Sequence, residues 1–80
     1  MKIKDYHLFL KENAQFIGNK FEVLEWFIRD DVYQLYEMIM ENMGIDEWLD
    51  EMSHRIVEFG DVYYVLEEED LLELNEKISA

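Results

Sequence analysis

Glu51 and His54, three residues apart in a stretch that reads as helix, reproduce the Glu-x-x-His unit of carboxylate-bridged two-metal bundles. Such a site needs two of these units and two further carboxylates, so one copy of the chain holds a fragment and only a dimer could complete it. The plainer reading of His54 is a surface or helix-end residue. His7, with no partner near it in sequence, reads as partly buried beside the apolar face of a first helix. No Asp-x-Asp-x-Asp-Gly run is present to form a calcium loop. Cysteine is absent, which removes thiolate zinc sites and disulfides and suits a reducing cytoplasm. Ser53 and Ser79 belong to no nucleophile motif, and there is no glycine-rich phosphate loop. Carboxylate pairs abound, yet no spacing sets one apart as acid and base. The sequence therefore predicts no enzyme, no metal site and no cofactor.

What the carboxylates can do collectively is electrostatic. The 80 residues carry 20 acidic and 7 basic side chains, a formal net charge of −13. Residues 30–76 contain sixteen of the acids and a single base, Arg55, whereas residues 1–20 are net positive through Lys2, Lys4, Lys11 and Lys20. Like charges recur four residues apart at Glu37 and Glu41, Asp46 and Asp50, Glu47 and Glu51, and Glu69 and Glu73. On a helix each such pair is destabilising by roughly 0.2 to 0.5 kcal/mol, so the set costs on the order of 1 to 2 kcal/mol. That is a noticeable share for a small domain. High charge keeps a protein dispersed, and solubility is the simplest purpose for it. Recognition of a basic surface is the sharper one.

The elements that must position these groups follow from periodicity and from three glycines, Gly18, Gly44 and Gly60. Tyr6, Phe9, Leu10, Ala14 and Ile17 recur at helical spacing over residues 5–17, with Gly18 as the expected helix end. Asn19 and Glu22 form a capping box for a second helix, apolar around most of its girth and expected at the centre. Asp30 and Asp31, with Gln34, precede a third, whose buried stripe is Val32, Leu35, Tyr36, Ile39 and Met43 and which Gly44 closes. A fourth begins at Ile45, with Trp48, Leu49 and Met52 inward. Over residues 55–66 two β-rich runs flank Gly60-Asp61, a two-residue hairpin signal, although helical spacing also continues through Ile56 and Phe59. The hairpin is favoured because Val62-Tyr63-Tyr64-Val65 suits a strand, and it places Phe59 opposite Val62 and Val57 opposite Tyr64, with Ile56 and Val65 on the other face. Glu67, Glu68, Glu69 and Asp70 open a last helix with Leu71, Leu74 and Ile78 inward. The expected fold is mainly α within the α+β class: one domain over residues 1–80, a helical bundle with a single hairpin in its C-terminal half and a final helix. No run approaches the roughly 20 apolar residues of a membrane span, and no hydrophobic signal core opens the chain, so a cytoplasmic protein is expected.

Residues 37–51 carry six carboxylates without an intervening base over roughly 20 Å of helix at 1.5 Å per residue, and residues 58–76 carry eight more. Duplex DNA presents one charge per about 1.7 Å of axis, so such a surface can occupy a site built for phosphates. In this character the chain resembles the small acidic inhibitors that phages direct at host nucleases, including DNA-mimicking anti-restriction and anti-CRISPR proteins. Those inhibitors share no common fold, so the resemblance carries over no residue. It implies a non-enzymatic inhibitor that blocks a basic, nucleic-acid-binding surface of a partner, a nuclease for example. The partner-binding residues expected are Glu37, Glu41, Asp46, Glu47, Asp50 and Glu51, then Glu67, Glu68, Glu69 and Asp70, with Trp48 or Tyr63 as aromatic anchors. Direct nucleic-acid binding is disfavoured by repulsion from phosphates. An antitoxin or immunity protein facing a basic toxin would use the same chemistry. A structural or assembly subunit would instead use Tyr33, Met38, Met40, Tyr63 and Tyr64 to oligomerise.

Overall fold

The hairpin at Gly60-Asp61 is the frame on which the rest is assembled. Gly60 has φ 62°, no other described residue except Gly44 has positive φ, and Gly60 is the first central residue of the two-residue turn. That is the pattern of a type II′ turn, whose twist matches the flanking strands. The computed structural model describes residues 1–29 and 34–79. In chain order the elements are α1 (Ile3–Asn13), β1 (Phe16–Gly18), α2 (Lys20–Phe27), α3 (Gln34–Asn42), α4 (Ile45–Glu51), β2 (Ile56–Phe59), β3 (Val62–Val65) and α5 (Glu68–Ser79). Among the described residues this is an α+β fold of five helices and one antiparallel sheet, ordered β1-β3-β2.

The expected hairpin register is observed, with Phe59 paired to Val62, Val57 to Tyr64 and Ile56 to Val65. Because side chains alternate across a strand, the sheet has two apolar faces and becomes the middle of three layers. Ile56 and Val65 face a cluster built from Val23 and Leu24 of α2, Ile39 of α3, and Ile45 and Trp48 of α4. Val57, Phe59, Val62 and Tyr64 face Leu10 of α1 and Leu71 and Leu74 of α5. α2, expected at the centre, instead lies in the layer on one side of the sheet: Val23 and Leu24 are fully buried, while Phe21, Glu22 and Glu25 are exposed. Its capping box is present, Asn19 Oδ1 accepting from Glu22 N at 2.9 Å while Glu22 Oε1 accepts from Asn19 N at 3.0 Å. Gly44 follows α3 as expected, its N–H donating to Ile39 O at 2.7 Å.

The first helix is shorter than its periodicity suggests. It stops at Asn13, Ala14 is extended, and Phe16–Gly18 pairs with β3 as a third strand: Phe16 with Val65, Ile17 with Tyr64 and Gly18 with Tyr63. The cause is non-local. A two-stranded hairpin leaves one edge of β3 with unpaired backbone groups, and residues 15–18 satisfy them, beginning with Gln15 N to Val65 O at 2.7 Å. Gly18 is therefore not a helix cap. A Cβ built on it would lie 3.0 Å from Phe16 Cε1 and 3.1 Å from Glu22 Cβ, so its hydrogen lets the first turn of α2 close onto the strand. Gly18→Ala is expected to lower unfolding free energy by about 1 kcal/mol, read from urea melts. Ile78, expected inward, is half exposed near the end of α5, beyond the reach of the Leu10–Leu74 cluster. Asp30, Asp31, Val32 and Tyr33, and the side chains of Gln34 and Leu35, lie outside the described residues. No helix among the described residues is long and apolar enough to cross a membrane.

Candidate functional site

The inward positions of α4 decide which of its side chains meet solvent. Ile45 and Trp48 are buried and Leu49 is half-buried, at spacings of three and four, so Asp46, Glu47, Asp50 and Glu51 are left on the outer surface, all exposed. α3 packs against α4 in the same layer and presents Glu37 and Glu41, also exposed. The six carboxylates thus share one layer, but not one helix. Residues 37–51 bend at Gly44 between two helices, and the straight row expected from the sequence is replaced by a two-helix face.

One cation reaches these six groups among the described residues: Lys20 Nζ lies 3.4 Å from Asp46 Oδ1. The other described ion pair joins Lys77 and Glu73 within α5. Arg55, the single base of residues 30–76, is engaged elsewhere. Its Nε donates to the Leu66 carbonyl, its Nη2 donates to Gln15 Oε1 at 2.7 Å, and its guanidinium sits 5.4 Å from the Phe27 ring centre. Gln15 Nε2 in turn donates to Glu67 Oε1 at 2.9 Å. Arg55 therefore ties the start of β1 to the end of β3 and leaves the α3–α4 carboxylates unneutralised.

The hairpin adds a seventh carboxylate that the sequence reading did not select. Glu58 is the cross-strand partner of Tyr63 and faces α4, so Asp46, Asp50, Glu58 and Tyr63 rim a concavity of about 290 Å³ floored by Leu49 and Ile56. The hairpin register was the signal that could have found it. Partial burial, and then the charge of Glu58, hold the Tyr63 phenol above its ordinary value of 10.0. Tyr6 is raised by burial alone. A raised acid group binds its proton more tightly in the folded chain. Its contribution is complete below the unfolded value and is lost as pH climbs through the folded one. Thermal melts between about pH 8 and 11 are expected to show this alkaline loss of stability, and Tyr63→Phe with Tyr6→Phe should flatten it.

The second acidic segment does not join this face. Glu67, Glu68, Glu69 and Asp70 lie at the start of α5, on the opposite side of the sheet, where the positive end of the helix dipole favours them. Just beyond α4, Ser53 and His54 share a cavity with Glu68 and Leu71 at the start of α5. α1 lies beside α5 and brings exposed Lys4 and Lys11 into that layer. The α3–α4 face is thus the less diluted of the two.

Of the two expected aromatic anchors, only Tyr63 is at the surface. Trp48 is 8% exposed and packs edge-on to Phe27 at 5.6 Å between ring centres, so it is not a protruding anchor, although its edge lines the groove between α3 and α4. Tyr64 is also buried, and its hydroxyl lies 2.9 Å from His7 Nε2, a partner 57 positions away that sequence spacing could not reveal. Glu51 and His54 are both exposed. No group of three or more His, Asp or Glu side chains converges as a metal site among the described residues. Comparison with protein families, with curated proteins and with solved structures returned no match to the chain.

Proposed function

We propose that the chain is a non-enzymatic, cytoplasmic inhibitor whose α3–α4 face binds and blocks a basic, nucleic-acid-binding surface of a partner protein. The observation that carries this reading is the arrangement of charge. Glu37, Glu41, Asp46, Glu47, Asp50 and Glu51 are exposed in one layer, with Lys20 the only cation found paired to them among the described residues. A chain selected for folding alone would place lysine at some of these positions, where like charges four apart oppose the helix. Because the second acidic segment lies on the far side of the sheet, the phosphate-like surface is the α3–α4 face with Glu58, not a double row made by both segments. Long-range attraction would speed encounter, and Tyr63, half-buried among carboxylates, would supply contact area once docked.

The test is capture of partner proteins from a host lysate by the immobilised chain, with and without competing duplex DNA, followed by affinity measurement over a salt series. Release by DNA and a steep fall in affinity with salt support the reading; retention unaffected by either removes it. An antitoxin or immunity protein would engage its toxin through the same face, and a toxin gene beside this one would favour that reading. Half-exposed Met38 and Met40 favour an assembly subunit as the remaining alternative, and light scattering showing a stable oligomer would support it.

A further inference from the structure

We infer that the α3–α4 face receives its partner through an amphipathic helix, whose apolar side chains enter a methionine-lined groove while its lysines and arginines meet the carboxylates on either side. This deepens the reading above and rests on it. The groove encloses about 330 Å³, room for roughly two leucine-sized side chains at protein packing density. Its floor is Phe27 and Ile28 at the end of α2, and its walls are Met38 and Met43 on the α3 side and Trp48 and Met52 on the α4 side. Two helices thus flank the cleft, and a third helix is the element whose ridges fit between them. Three of the lining residues are methionines, whose flexible thioethers adapt to an entering side chain. Met38 is 52% exposed.

Charge selects the occupant. Glu51 lines the groove itself, Glu47 stands one turn before it on α4, and Glu37 and Glu41 flank Met38 along α3. An apolar cleft between two acidic walls is complementary to a helix with an apolar stripe bordered by basic residues. A second copy of this chain would bring an equally acidic face against the first, and an anionic lipid surface would be repelled in the same way.

The experiment uses the full chain labelled on its methionine methyl groups and two synthetic peptides of about 18 residues, identical in leucine and lysine content. One has leucine recurring every three to four positions, and the other has the same residues scrambled so that no stripe forms. The expected result is that the striped peptide binds at least about tenfold tighter, shifts the methyl signals of Met38, Met43 and Met52 but not Met1, and loses that advantage in Met38→Gln. Equal binding by both peptides, unchanged by Met38→Gln, would overturn the groove while leaving the acidic-surface reading intact. Absence of binding by either peptide at low salt would overturn both. Shifts of the same methyls with chain concentration alone would show a second copy in the groove and overturn the helix.

Discussion

Trp48→Ala is expected to remove about 3 to 5 kcal/mol of stability, a large share of what a domain of this size has to lose. Trp48 closes a chain of aromatic contacts that crosses the structure. Phe16 of β1 stacks on Trp26 at 6.0 Å, Trp26 meets Phe27 edge-on at 5.1 Å, and Phe27 meets Trp48 at 5.6 Å. Such edge-on pairs contribute about 0.5 to 1.5 kcal/mol beyond the area they bury. α4 is seven residues long and could not hold its shape alone, so the buried indole is what fixes the helix to α2. Trp48→Phe keeps most of the volume and is expected to lose markedly less. Urea melts of both variants check this. A Trp48→Ala protein that melts like wild type but has lost its partner would favour the anchor role over the inward one, the two roles that the sequence offered for Trp48.

The sequence signals that held were those confined to neighbours along the chain. The Asn19–Glu22 capping box, the Gly60-Asp61 turn and the alternation from Val62 to Val65 each need only a few adjacent residues, and each is present in the fold. The failures involve partners far apart in sequence. Ala14 and Ile17 fit a helical stripe, and only the open edge of β3, about fifty residues later, pulls residues 15–18 out of it. The tie from Arg55 to Gln15 and the contact between His7 and Tyr64 are equally non-local. The same limit applies to the charge. Composition revealed its excess, but only the layering of α4 and α5 on opposite sides of the sheet divides it into two surfaces. Trp48 satisfied both the inward stripe of α4 and the description of an exposed anchor, and periodicity was the better guide.

Neutralising the outer face of α4 is expected to separate function from stability. Asp50 and Glu51 occupy its last turn, where the negative end of the helix dipole opposes them, as do Asp46 and Glu47 four residues earlier. Asp50→Asn with Glu51→Gln should therefore raise stability by roughly 1 to 3 kcal/mol, summing two relieved repulsions and two relieved dipole contacts. Extending the change to Asp46→Asn and Glu47→Gln gives some of that back. Both sit favourably in the first turn, and Asp46 loses its exposed contact with Lys20, worth about 0 to 1 kcal/mol. The fourfold variant is thus expected to fold with near wild-type stability. Its affinity for a basic partner should fall by about 1 to 4 kcal/mol, at roughly 0.2 to 1 kcal/mol for each exposed charge, and its salt dependence should flatten. Added salt should act on the wild type in the same divided way, raising the melting temperature by screening self-repulsion while weakening the complex. Charge kept only for solubility predicts a different pair of results, unchanged affinity in the fourfold variant and binding indifferent to salt, and that outcome would dismiss the electrostatic mechanism.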